Sequence, residues 1–89
     1  MIAIWKFEFE VADLVEIEMP AQYRILCVGS QKPRHICIWT MVDTEVTLIK
    51  RRFHIRGTGQ PIDITFPDVD YIGTAFDGPF VWHVFDGNL

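Results

Sequence analysis

Apolar and polar residues alternate along most of the chain, and this alternation predicts β-strands rather than helices. Over Ile2–Val11, Trp5, Phe7, Phe9 and Val11 share one phase and Lys6, Glu8 and Glu10 the other. After a short turn at Ala12–Asp13, Leu14–Met19 repeats the pattern, with Val15, Ile17 and Met19 inward and Glu16 and Glu18 outward. With the strands joined by that turn, Glu8, Glu10, Glu16 and Glu18 are expected to lie on one solvated face, which blunts edge pairing. Pro20 ends the second strand. Tyr23–Gly29 is the third, with Tyr23, Ile25 and Cys27 in one phase and Arg24, Leu26 and Val28 in the other. Gly29–Pro33 reads as a hairpin loop. His35–Val42 is apolar in both phases, so it is expected to be a central strand covered on both sides. Val46–Arg56 is the fifth strand and Asp70–Phe76 the sixth. Asp77–Gly78 is the expected hairpin turn into Phe80–Phe85, the seventh. Pro61–Asp68 has two prolines and little periodicity; it is expected to be irregular, with Ile62, Ile64 and Phe66 packing down as a lid and one helical turn around Pro67–Asp70. These elements predict an all-β fold of about seven antiparallel strands, a small sandwich or partly open barrel.

A chain of 89 residues forms one domain spanning 1–89. At this size only about 60% of the unfolded chain's surface is buried, a deficit that association of copies relieves. Three Trp, seven Phe and two Tyr are a heavy aromatic load for one small core, so some are expected to cover a subunit interface or a ligand pocket. A homo-oligomer follows as an expectation. Cys27 and Cys37 are too few for a disulfide scaffold and are expected to be reduced core thiols. Met1–Trp5 runs at once into charge and no apolar run is long enough to span a bilayer, so neither a signal peptide nor membrane insertion is expected.

The net charge of −4 is unevenly spread. Residues 1–18 carry five acids against Lys6, and residues 61–89 carry five aspartates with no Lys or Arg. The middle, 19–60, carries seven basic residues against Asp43 and Glu45. An acidic chain is a poor general nucleic-acid binder, whereas a small anion needs only a local positive site. The candidate is Lys50–Pro61, KRRFHIRGTGQP. Lys50, Arg52, His54 and Arg56 share one phase opposite Phe53 and Ile55, and the strand ends in Gly57-Thr58-Gly59-Gln60. Guanidinium groups and exposed turn N–H groups are what a phosphate binds, and Trp39 or Tyr71 offers a ring for stacking. The competing reading is a basic face that pairs with the acidic strands. The glycines match no known phosphate-binding loop. His35, His54 and His83 lack metal-ligand spacing, and His83, between Trp82 and Val84, reads as a hydrogen-bonded core histidine. No cofactor or metal is implied.

The run FHIRGTGQPI (Phe53–Ile62) followed by YIGTAFDGPFVWHVFDG (Tyr71–Gly87) resembles a family of small proteins encoded by tailed bacteriophages. Lys6–Pro20 and Ile25–Asp43 fit the same pattern, so the resemblance covers nearly the whole chain, with the GTG-x-PI element its most specific part. The family has no established activity, and no catalytic role carries over. In similar sequences the residue after the second glycine is often His; here it is Gln60, which speaks against an acid–base or metal-binding role there. The resemblance implies a protein of the bacterial host's cytoplasm that acts by binding.

The expected function is therefore non-catalytic: sequestration of a small anionic nucleotide-like signalling molecule of host defence. Arg52, His54 and Arg56 would supply charge, Gly57, Thr58, Gly59 and Gln60 the turn donors, and Tyr71 or Trp39 the stacking surface. The alternative is an interaction module for a host or virion protein. A small hydrolase using His54 with an aspartate ranks last, because no nucleophile motif or paired-carboxylate geometry supports it.

Overall fold

A computed structural model describes residues 1–63 and 68–88. Its elements are β1 (Ile2–Glu10), β2 (Leu14–Pro20), β3 (Tyr23–Gly29), β4 (His35–Asp43), β5 (Leu48–Gly57), β6 (Asp70–Asp77) and β7 (Phe80–Asp86). They form two antiparallel sheets, a three-stranded one ordered β1-β4-β3 and a four-stranded one ordered β2-β5-β7-β6. The sheets pack face to face and do not close into a barrel, so of the two architectures expected the sandwich is the one adopted.

The inward phases meet as the alternation requires. Met19, Ile36, Ile38, Phe53, Ile55, Ala75 and Val84 are buried at the centre, and Phe7, Phe9, Val15, Ile17 and Trp82 pack around them. β4 is central to its sheet, and its inward Ile36, Ile38, Thr40 and Val42 are buried. In its outward phase Cys37 is buried, but His35, Trp39 and Met41 stay half-exposed, so cover on that side is incomplete.

Three expectations about faces are corrected. First, β1 and β2 do not pair: Ala12–Asp13 carries the chain from one layer to the other, β1 pairs with β4 and β2 with β5. Glu8 and Glu10 are thus on a different sheet from Glu16 and Glu18. Second, β3 contains a β-bulge: Ile25 opposes Thr40 and Cys27 opposes Trp39, leaving Leu26 as the extra residue. The bulge inverts the phase beyond it, so Val28 is buried and Cys27 is exposed, while Cys37 is the core thiol; both are free. Third, Asp77 pairs with Phe80, so the two central residues of the last hairpin are Gly78 and Pro79. Gly78 takes a positive φ of 54°, as the first central position of a II′ turn requires. Of the proposed lid, Ile64 and Phe66 lie outside the described residues, as does Pro67 of the helical turn; Asp68 and Val69 make a bend leading into β6.

β6 is also bulged, between Tyr71 and Gly73, and the bulges let the β3 and β6 edges approach. A Cβ on Gly73 would lie 2.9 Å from Val28 Cβ, so only glycine fits the contact that joins the layers along this side. A charged cluster joins them again. Arg51, in the inward phase of β5, donates from Nη2 (2.6 Å) and Nε (3.0 Å) to Asp86 Oδ1, and Tyr23 of the other sheet donates its hydroxyl to Asp86 Oδ2 at 2.7 Å. Burial first, and then the bond to Asp86, push the Tyr23 phenol well above its ordinary range.

Candidate functional site

The basic stripe on β5 divides into two structural halves. Lys50 and Arg52 are exposed and lie across from β2, where both reach Glu16 at 3.9 and 3.5 Å. This is the pairing of basic face with acidic strand that competed with the anion-site reading. His54 and Arg56 are buried, His54 against the chain that follows β7 and Arg56 against the chain that follows β5. His54 Nε2 is 3.1 Å from the Gly87 carbonyl. Arg56 donates to the carbonyls of Asp13 (2.8 Å) and Ile55 (2.9 Å), and its Nη2 donates to Asp63 at 2.8 Å. Hydrogen bonding to Arg56 holds the Asp63 carboxyl below the usual carboxylate range. Arg56 thus ties the irregular segment after Gly57 down onto the sheet.

In the Gly57–Gln60 turn the N–H groups of Gly57, Thr58 and Gln60 are spent within the protein. Gln60 N–H bonds to the Gly57 carbonyl at 3.0 Å, Thr58 N–H to the Val81 carbonyl at 3.1 Å, and Gly57 N–H to Gln60 Oε1 at 2.8 Å. Gln60 therefore closes the turn with its side chain. Gly59, at φ 88°, faces open space.

What this turn builds is one wall of a cleft. On the outer face of the larger sheet, Gly57–Gln60 and Ile62 stand over β6 and β7 and enclose about 470 Å³ with Val69, Tyr71, His83 and Phe85. The volume lies in the range of small-molecule sites. The floor is set by strand register: Arg56 opposes His83, His54 opposes Phe85, and Tyr71 opposes Phe85 from the other side. Tyr71 is 54% exposed and meets the Phe85 ring edge-on at 5.7 Å. Along one side runs a polar chain. Thr58 Oγ1 is 2.7 Å from His83 Nε2, Thr74 Oγ1 is 3.1 Å from His83 Nδ1, and the Tyr71 hydroxyl bonds to Thr74 Oγ1. Both imidazole nitrogens are therefore partnered by hydroxyls, which donate or accept as either tautomer requires.

The expected site residues are gathered only in part. Gly57, Thr58, Gly59, Gln60 and Tyr71 line the cleft. Arg52 lies on β5 beside Glu16; His54 and Arg56 are buried and turned to protein partners. Trp39 is on the outer face of the other sheet, against Gly29. Ile62, Val69, His83 and Phe85 are additional. His83 is hydrogen-bonded, but at the cleft rather than in the core. Its signal in the sequence was its phase: it shares the outward side of the last strand with Val81 and Phe85. Chemically the cleft offers rings, aliphatic surface and hydroxyl, amide and imidazole hydrogen-bonding groups. Thr58 and His83 are close enough for proton exchange, but the group orienting His83 is the Thr74 hydroxyl and not a carboxylate. Among the described residues no three His, Cys, Asp or Glu side chains gather to hold a metal, and no helix is long and apolar enough to cross a membrane.

Fold and cleft together define a small two-sheet antiparallel β domain with an apolar depression on the outer face of its larger sheet. The chain belongs to the DUF7352 family, a domain of unknown function, whose family model matches residues 1–89. No curated protein and no solved structure matches it.

Proposed function

We propose that the protein is a non-catalytic binding module that sequesters a nucleotide-like ligand, with the ligand's ring in the cleft between Tyr71, Phe85 and Ile62. The observation carrying this reading is the pairing of aromatic and aliphatic walls with the Thr58–His83 hydroxyl–imidazole rim, since stacking and edge hydrogen bonding together recognise a base. The lining holds no Lys or Arg, so the cleft takes the base and sugar rather than the phosphate. In the tailed-phage setting that the sequence resembles, the GTG-x-PI turn is the cleft wall, and sequestration would remove a nucleotide signal of host defence from the bacterial cytoplasm.

The test is titration with a panel of nucleosides, followed by NMR at Tyr71 and His83. The Tyr71→Ala protein is expected to bind about 5- to 150-fold more weakly, the range that loss of one stacked base implies. Unchanged affinity overturns the reading. A second reading, a module for a host or virion protein, draws on the outer face of the smaller sheet. There Ile2, Ile4 and Leu26 are 62%, 63% and 44% exposed beside half-buried Trp39 and Met41, a face that also suits self-association.

A further inference from the structure

The cleft does not end at Gly57. Gly57 and Thr58 also line a second depression of about 350 Å³, whose other walls include Pro79, Phe80 and Trp82. Pro79 and Phe80 in turn line a third, of about 360 Å³, with Lys32, Arg34 and Phe76. Through these shared walls the three depressions adjoin one another, from the outer face of the larger sheet around its end to the tips of the β3–β4 and β6–β7 hairpins.

The far end has the charge that the cleft lacks. Arg51, Arg52 and Arg56 each lie within ion-pair distance of a carboxylate, on Asp86, Glu16 and Asp63. Among the described residues Arg34 has no such partner. Its guanidinium carbon lies 4.2 Å from the Phe80 ring centre, and Phe80 stacks on Trp82 at 5.7 Å and 20°. A guanidinium held flat on a ring keeps its N–H edge free for an anion. Asp77 also borders this end, but its Oδ2 accepts from the Arg34 backbone N–H at 3.1 Å and Trp82 Nε1 at 3.3 Å. That bond holds Arg34 at a φ of 62°, which a non-glycine residue adopts at a cost. Lys32 adds a second cation, with Glu8 at 3.7 Å on the exposed surface. Phe76, 73% exposed, adds a second ring platform.

We infer that these adjoining depressions take a ligand of dinucleotide length, with one ring in the Tyr71–Phe85 cleft, a phosphate on Arg34 and Lys32, and the other ring on Phe76. This rests on the nucleotide-like reading of the cleft. Two aromatic platforms on adjoining depressions, with Arg34 and Lys32 at only one of them, fit two rings and a phosphate at one end better than they fit a mononucleoside.

The test compares nucleosides with terminally phosphorylated dinucleotides of the same bases by calorimetry, on wild type and on Arg34→Gln. The dinucleotide is expected to bind at least about tenfold tighter than its nucleoside, the scale of one charge-assisted contact. Arg34→Gln should cut that gain several-fold while leaving nucleoside affinity unchanged, which also shows that the variant is folded. If nucleosides bind but the dinucleotide gains nothing, or its gain survives Arg34→Gln undiminished, the inference falls and the cleft reading stands. If neither class binds, both fall.

Discussion

Asp86→Ala is expected to cost about 3 kcal/mol of stability, read as a loss in the free energy of chemical unfolding. Asp86 lies at the boundary of the layers and accepts bonds from Arg51 and Tyr23. Its removal leaves the Arg51 guanidinium, in the inward phase of β5, without its counter-charge. Breaking one side of a buried pair costs roughly 3–5 kcal/mol. The lower end applies because the Arg51 side chain keeps 24% of its surface in water. The same cluster sets an alkaline limit. Tyr23 holds its proton above the ordinary 10.0 in the folded protein, so its contribution is complete below that value. Once the pH passes that value the unfolded chain releases this proton and the folded protein retains it, and stability falls. A Tyr23→Phe protein should lack that alkaline slope, which pH-dependent unfolding would show.

Arg56→Ala is the second large effect, and it bears on structure before ligand. Its guanidinium, 9% exposed, bonds to the carbonyls of Asp13 and Ile55 and to Asp63. Losing charged hydrogen bonds to buried carbonyls is expected to destabilise the fold by about 2–3 kcal/mol. The Asp63 pair adds little, since that carboxylate is 80% exposed. With Asp63 released, the segment carrying Ile62 over the cleft loses its tether, and hydrogen exchange there should speed up relative to β4. An Arg56→Ala protein with wild-type stability would show that the tether does not operate.

The strands were legible because most are antiparallel and half-buried, so alternation marks them: Tyr23–Gly29 agrees end to end, and β1 and β7 agree to within a residue. Layer assignment was not legible. Nothing in Ala12–Asp13 says whether the chain makes a hairpin or crosses between sheets, and that choice separated Glu8 and Glu10 from Glu16 and Glu18. Bulges were equally hidden: one extra residue at Leu26 exposed Cys27 and buried Val28. The outward phase of His54 and Arg56 was read correctly, but alternation knows nothing of a later segment folding over that face. Burial then turned the arginine from a ligand for anions into a partner for carbonyls. Gly57–Gln60 and Tyr71 do meet at one cleft, because β7 alone separates β5 from β6 and the turn after β5 stands over it. His83 joins them through that pairing, a relation between residues distant in sequence that no local pattern carries. Arg34 was passed over because its importance lies in a guanidinium that makes no ion pair among the described residues.

Mass spectrometry of what leaves the purified protein on heat denaturation, after incubation with extract of phage-infected bacteria, bears most directly on the proposed binding role. The predicted result is an intact nucleotide-like molecule released by the wild-type protein and missing from the Tyr71→Ala protein. Release of nothing from well-folded protein would contradict sequestration, and release of a hydrolysed product would contradict the non-catalytic assignment.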